Sequence, residues 1–91
     1  MRLVVLDRAR NDLIGIQDYI ATDSPPAAAR VVATIEAKIL GLREHPMLGR
    51  TGRVAGTREL VIAGTPYIAI YRLAAQRIEI VRVLHGAQRW P

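Results

Sequence analysis

The sequence predicts an α+β fold with the element order β-α-α-β-β-β, in which a helical hairpin packs on a small, mainly antiparallel sheet. Two segments in the first half of the chain carry apolar residues three and four positions apart, which is the spacing of an amphipathic helix. Three segments in the second half are rich in β-branched residues and are separated by two short turns, as in a meander. With 91 residues, the chain 1–91 is expected to form one domain.

The first strand and the first helix are predicted near the N-terminus. The run from Arg2 to Leu6 is short and apolar and predicts a strand. A helix over residues 8–22 follows from an apolar stripe, which is centred on Leu13, Ile16 and Ile20 and flanked by Ala9 and Tyr19. Asp12, Gln17 and Asp18 lie away from that stripe.

A second helix is predicted from Pro25 to about Glu44. Ser24 suits the N-cap position, and Pro25 suits the first helical position, where a missing N–H costs nothing. Pro46 ends the helix. Because the connection between the two helices is short, we expect an antiparallel hairpin.

One long loop, Pro46 to Thr57, is predicted between the helices and the meander. It contains three glycines and two arginines, Arg50 and Arg53. Such a composition suits an exposed, mobile and basic segment, and loops of this length in small domains are often functional.

The meander is predicted from two short turns, Gly64-Thr65 and Ala74-Ala75. They link strands over Arg58–Ala63, Pro66–Leu73 and Gln76–His85. If both turns contain two residues, residue 62 faces residue 67 and residue 73 faces residue 76.

These registers predict which side chains share a face of the sheet. The face expected to pack on the helices holds Val61, Ala63, Ile68, Ile70, Val81 and Val83. The face expected to be exposed holds Arg58, Leu60, Ile62, Tyr67, Tyr71, Ile78, Ile80 and Arg82. The second face is too apolar to stand bare, which predicts a partner on it. A slip of one residue would exchange the two faces.

The charge of the chain predicts an acidic partner. Residues 1–45 carry six basic and six acidic side chains, whereas residues 46–91 carry seven basic and two acidic ones, so the net charge of +5 lies in the sheet half. Twelve of the thirteen cations are arginine, whose planar guanidinium suits phosphate or carboxylate. We therefore expect nucleic acid or an acidic protein segment to bind there.

Composition also excludes classes of protein. The chain has no cysteine and only two histidines, which argues against disulfides and a structural metal site, and no cofactor motif is present. The apolar run at the N-terminus is too short for a signal peptide, and no run is long enough to span a membrane. We expect a soluble cytoplasmic protein.

The predicted exposed face offers two alternatives. Arg58, Tyr67, Tyr71 and Arg82 could bind a sugar–phosphate backbone, with tyrosines stacking on bases. They could equally surround the apolar helix of a protein partner.

His85 and Trp90 also have two interpretations each. His85 could act as a general acid or base beside Arg82 in metal-free RNA cleavage, or it could be a structural residue at a strand end. Trp90 could pack over the sheet edge or contact a target.

The order of these motifs resembles the RelE/ParE superfamily of toxins from bacterial type II toxin–antitoxin systems. The resemblance is carried by Ala9-x-x-Asp12-Leu13-x-x-Ile16-x-x-Tyr19-Ile20, Gly49-Arg50, Arg58-Glu59-Leu60, Tyr67-x-x-x-Tyr71-Arg72 and Ile80-Val81-Arg82-Val83-Leu84-His85-Gly86. It covers nearly the whole chain.

The resemblance implies a toxin that a cognate, ParD-like antitoxin neutralises in a hetero-oligomer. The antitoxin segment of such systems is typically acidic and amphipathic, and operator DNA is bound only through the antitoxin. We expect antitoxin contacts at Leu60, Ile62, Tyr67, Tyr71, Ile78 and Ile80.

The superfamily contains two mechanisms. RelE-like members cut mRNA on the ribosome, which would make Arg58, Arg82 and His85 catalytic, but this loop has no lysine and Gly86 follows His85. ParE-like members inhibit DNA gyrase and are not enzymes, and the ending Leu84–Pro91 resembles that branch more closely. We therefore favour gyrase as the target, with Arg50, Arg53, Arg89 and Trp90 as target-binding residues.

Overall fold

A computed structural model describes all residues 1–91. The elements are β1 (Arg2–Val5), α1 (Asp7–Ala21), α2 (Pro25–Leu40), a 3₁₀ turn (Gly41–Arg43), β2 (Arg50–Thr51), β3 (Arg58–Val61), β4 (Tyr67–Ala74) and β5 (Arg77–His85). The predicted α+β class and helical hairpin are confirmed. The two-residue strand β2, inside the long loop, was not predicted.

The five strands form one sheet in the order β1-β5-β4-β3-β2. β1 runs parallel to β5, and all other pairs are antiparallel. Both helices lie between β1 and β2 in the chain. β1 pairs with β5, so the first and last strands of the chain are neighbours in the sheet. Neither α1 nor α2 has the length and hydrophobicity that a transmembrane helix requires.

Helix α2 begins as the sequence predicts. The Ser24 hydroxyl accepts a hydrogen bond from the Ala27 N–H at 3.2 Å, and prolines occupy the first two helical positions. The helix ends at Leu40, and a 3₁₀ turn completes the segment to Arg43.

The predicted register of the first hairpin is confirmed, and that of the second is wrong. Val61 faces Ile68 as expected. The second turn is one residue later than predicted, so Ala74 faces Arg77, and the register shifts again between Ile70 and Tyr71. At that shift Tyr71 faces Ile80 and Ile70 faces Arg82, which leaves Val81 as the extra residue of a β-bulge.

The predicted assignment of the two sheet faces is also wrong. The helices pack on what we call the inner face, whose buried members are Leu60, Ile62, Tyr67, Ala69, Tyr71, Ile78, Ile80 and Val83. Of the face predicted to pack on the helices, only Val83 lies there. Both faces are apolar at their centre, so aliphatic content alone did not distinguish them.

This correction removes the predicted antitoxin surface. Leu60, Ile62, Tyr67, Tyr71, Ile78 and Ile80 are at most 7% exposed and lie in the core with residues of both helices. Side chains buried in this way are not available to a partner while the domain stays folded.

The opposite side, which we call the outer face, has a smaller apolar centre. Ile68, Ile70 and Leu84 are buried there, with Val81 and Trp90 packed against them. The tail that carries Trp90 therefore covers the outer face, and the middle of the sheet is buried on both sides.

Candidate functional site

Arg58 binds the loop that precedes β2. Its guanidinium donates hydrogen bonds to the Gly49 carbonyl at 2.6 and 3.0 Å and to the Met47 carbonyl at 3.1 Å. These carbonyls orient the side chain along the loop. In this structure, Arg58, which was predicted to be catalytic, stabilises the loop through these hydrogen bonds.

Tyr71 binds the same loop through its hydroxyl group. Its hydroxyl donates to the Pro46 carbonyl and accepts from the Gly49 N–H, each at 2.8 Å. A Cβ atom on residue 49 would lie 2.6 Å from the Tyr71 ring, so only glycine fits. The start of the loop is therefore fixed, in contrast to the expected mobility.

Arg82 forms a two-pronged ion pair with Asp12 of α1. Nε donates to Oδ2 at 2.8 Å and Nη2 to Oδ1 at 3.0 Å, and both side chains are only 17% exposed. The hydrogen bonds that Arg82 donates to Asp12 raise the pKa of Arg82 above its ordinary value. Asp12 also accepts the Val83 N–H at 2.9 Å, just after the bulge.

The sequence analysis did not identify Asp12 as the partner of Arg82. It was placed away from the apolar stripe of α1, but it lies between Ala9 and Leu13, which both contact the core. The sequence did contain a signal for this ion pair: a carboxylate next to the apolar stripe of a helix, together with an arginine within an apolar strand.

His85 is engaged locally at the end of β5. Its Nδ1 accepts the Ala87 N–H at 3.1 Å, and its ring meets the Tyr67 ring edge-on, with 5.8 Å between centroids. His85 faces Tyr67 whereas Arg58 faces Tyr71. Four residues along β4 correspond to roughly 13 Å, so the structure does not bring His85 and Arg58 together.

Two nearly buried glutamates on the outer face each hold a pair of arginines. Glu59, which is 2% exposed, accepts hydrogen bonds from the Arg50 side chain at 3.0 Å and from the Arg53 backbone N–H at 3.2 Å. The Arg53 guanidinium also forms an ion pair with it, with Nε 3.3 Å from Oε2. Burial raises the pKa of Glu59, but the hydrogen bonds and charges of the two arginines together lower it below its ordinary value. The predicted target-binding Arg50 and Arg53 thus bind Glu59 and remain half exposed.

The second cluster lies at the other end of the outer face. Glu79 is 4% exposed and pairs with Arg72 and Arg77. The hydrogen bond from Arg72 lowers the pKa of Glu79 below its ordinary value. Arg2 lies directly beside Arg77 in the pairing of β1 with β5, so this end of the face carries an excess of positive charge.

The C-terminal tail places Arg89 and Trp90 differently. Arg89 is exposed and forms no ion pair, whereas Trp90 packs on the outer face with its Nε1 buried and without a hydrogen-bond partner. The Arg82 guanidinium lies 6.0 Å from the centre of the Trp90 ring. Trp90 thus packs against the apolar centre of the outer face.

No group of three or more His, Cys, Asp or Glu side chains is placed so that it could hold a metal ion. The candidate sites consist of arginines, two buried glutamates and an exposed histidine. The arginines suit the binding of an acidic partner better than the catalysis of a reaction.

The family model described as "ParE toxin of type II toxin-antitoxin system, parDE" matches residues 3–90. The Y4kP protein of Sinorhizobium fredii is 49% identical over 84 residues, which cover 92% of this chain and 86% of that protein. Toxin RelE2 of Caulobacter vibrioides is 40% identical over 81 residues, covering 89% of this chain and 90% of the relative.

A solved structure described as the chromosomal ParDE TA system from P. aeruginosa has the same fold. It superposes with a TM-score of 0.83 at 29% sequence identity, over 91% of this chain and 92% of the solved chain.

Proposed function

Because the chain belongs to the ParE toxin family of type II toxin–antitoxin systems, we propose that it arrests growth by inhibiting DNA gyrase and that a cognate antitoxin neutralises it. The observation that carries this choice over RNA cleavage is the internal engagement of Arg82 by Asp12.

An arginine that stabilises a phosphoryl transition state must direct its N–H donors at the substrate. The Nε and Nη2 groups of Arg82 are already committed to Asp12, and removing one partner of such a shielded pair is costly. Arg58 is committed to loop carbonyls, and His85 lies too far from it to act in concert. These contacts support an inhibitor that binds its target and does no chemistry.

The alternative function is ribosome-dependent mRNA cleavage. It is favoured by the 40% identity to a relative named RelE2 and by the half-exposed arginines of the outer face. Under this alternative, the substrate would have to displace Asp12 from Arg82.

The target surface is proposed to include Arg89, Trp90 and the Arg50–Arg53 segment. Arg89 is exposed without an ion pair and adjoins Trp90, an aromatic side chain of the kind that anchors interfaces. The antitoxin partner is supported by the ParDE complex that the chain resembles in fold.

The test is a gyrase assay with the purified chain, free of antitoxin, in which supercoiling and cleaved DNA are measured. We expect inhibition, and we expect His85→Ala to inhibit as well as the wild type, because His85 is exposed and a non-enzymatic inhibitor needs no general acid or base. Trimming of mRNA on translating ribosomes, reduced by His85→Ala by roughly 100-fold as for a lost acid–base group, would instead establish the alternative.

A further inference from the structure

Three arginine side chains surround one buried carboxylate at the end of the outer face where β1, β4 and β5 meet. Oε1 of Glu79 accepts a hydrogen bond from Arg72 Nε at 2.5 Å, and Oε2 lies 2.5 Å from Arg77 Nη2. Arg2 is the partner of Arg77 in the pairing of β1 with β5, so its side chain lies on the same face. We call these four residues the arginine corner.

The arginine corner carries more positive charge than Glu79 requires. One arginine neutralises one carboxylate, whereas three arginines are present, so two positive charges are in excess. Arg2 is exposed, and its side chain forms no hydrogen bond and no ion pair. Like charges that face each other across a strand pair destabilise the sheet. Arg2 beside Arg77 therefore does not help the fold, and an anion bound between them would remove the repulsion.

Glu79 leaves most of the guanidinium N–H groups available to a ligand. A guanidinium has five N–H donors, and the contacts with Glu79 involve only Nε of Arg72 and Nη2 of Arg77. Both arginine side chains remain about half exposed, at 50% and 48%. Because Glu79 already orients them, less conformational entropy is lost when an anion binds.

The shape of the surface indicates which anion fits. The corner opens onto a shallow hollow of about 470 Å³, whose lining residues are Arg2, Ala74, Ala75, Gln76 and Arg77. Large apolar or aromatic side chains, which anchor most protein partners, are absent from this lining. Single-stranded nucleic acids need aromatic rings on which their bases stack. The hollow therefore favours a ligand that presents phosphate groups while its bases stay paired.

We propose that the arginine corner binds the phosphodiester backbone of double-stranded DNA without reading its sequence. The free N–H groups of Arg2, Arg72 and Arg77 donate to phosphate oxygens, and Glu79 positions two of the three guanidinium groups. The inference does not rest on the proposed function, because this contact is independent of which target the toxin attacks. It goes beyond the expectation that operator DNA is bound only through the antitoxin.

The first experiment measures the fluorescence anisotropy of a short labelled DNA duplex of arbitrary sequence as the purified chain, free of antitoxin, is added. We expect a dissociation constant on the order of 10⁻⁶ to 10⁻⁴ M at physiological salt, which rises with salt concentration. Arg2→Ala/Arg77→Ala should raise it roughly 10-fold. The double variant should also reduce the slope of log K against log salt by about 2, because two phosphate contacts are lost.

The matched control is Arg8→Ala/Arg30→Ala, which removes the same charge from the helices. Both residues are exposed on α1 and α2 and form no ion pair. We expect this variant to keep the affinity and the salt slope of the wild type. Equal weakening by both double variants would mean that net charge alone attracts DNA, and it would overturn the inference.

Thermal unfolding checks that the variants are folded. The double variant of the corner keeps the ion pair between Arg72 and Glu79, which should maintain the sheet. If it nevertheless unfolds, Arg2→Ala alone decides, because the Arg2 side chain has no hydrogen bond or ion pair to lose. This single variant should reduce the salt slope by about 1, and an unchanged slope would contradict the inference.

The second experiment locates the site without mutation. Unlabelled duplex DNA is added to the isotope-labelled chain, and the chemical shifts of the backbone amides are followed by NMR. We expect the largest changes at Arg2 and at residues 74–77. If the largest changes occur instead at Arg50, Arg53 or Arg89, DNA binds elsewhere and the inference is wrong.

Competition distinguishes duplex DNA from other anionic ligands. Single-stranded DNA or duplex RNA that displaces the labelled duplex more effectively than unlabelled duplex DNA does would overturn the inference. So would vesicles of phosphatidylserine and phosphatidylcholine that bind through Arg2 and Arg77 when duplex DNA does not bind. A chain that binds DNA through the arginine corner but does not inhibit gyrase would refute only the proposed function.

Discussion

The inner and outer faces of the sheet are both apolar at the centre, but they are closed by different means. Two helices cover the inner face and create a core cluster of twelve buried residues, whereas the outer face has a cluster of three beneath the tail that carries Trp90. Around that small cluster stand the two arginine–glutamate groups. The difference teaches that the inner face maintains the fold, while the outer face holds the side chains that can meet a partner without unfolding.

The largest expected effect on stability comes from a substitution that creates a cavity on the inner face. Ile80→Ala removes a fully buried side chain from the core between the sheet and the helices, and we expect a loss of about 3–5 kcal/mol in the free energy of unfolding. Leu84→Ala, on the outer face, is the matched change. It should cost less, about 2–3 kcal/mol, because the tail above it can settle into the space. Urea unfolding of both variants measures the difference, and equal losses would contradict the contrast between the faces.

The sequence revealed most of this fold because local signals determined it. Ser24 and Pro25 defined the start of α2, and the turn at Gly64, whose φ is +83°, defined the first hairpin. The second turn, Ala75-Gln76, contains no residue that demands a special backbone conformation, and its position was therefore missed.

The candidate site was harder to predict, because tertiary contacts determine it. The bulge beside Arg82 is stabilised by Asp12, seventy residues earlier in the chain. Arg58 is occupied by the carbonyls of Met47 and Gly49, which no side-chain pattern shows. Residue type identified the arginines correctly, but the free or occupied state of each guanidinium depends on the folded neighbours.

A smaller effect is expected from the tail that covers the outer face. Trp90→Ala should lower the free energy of unfolding by about 1–2 kcal/mol, less than a fully buried aromatic residue, because Trp90 is only partly buried. It should also expose Ile68 and Ile70, which an increase in binding of a hydrophobic dye would reveal. If Trp90 belongs to the proposed target surface, Trp90→Ala should reduce gyrase inhibition by more than the loss of folded protein explains. A variant that loses stability but inhibits fully would remove Trp90 from the target surface.

The smallest expected effect concerns the glutamates of the outer face and depends on pH. The pKa values of Glu59 and Glu79 are lowered from 4.5 in the folded chain, so the stability they contribute is present above pH 4.5 and is lost as the pH falls through the lowered values. The arginine partners are half exposed, which limits the contribution because water screens such pairs. We therefore expect Glu59→Gln to be less stable than the wild type at neutral pH. The difference should shrink as the pH falls below 4.5 and through the lowered pKa of Glu59, where the wild-type carboxyl also becomes neutral. Urea midpoints at several pH values measure this, and Glu44→Gln, at an exposed position without an ion pair, should show no such convergence. A difference that persists in acid would mean that Glu59 stabilises the outer face by packing and hydrogen bonding, and that its charge contributes little.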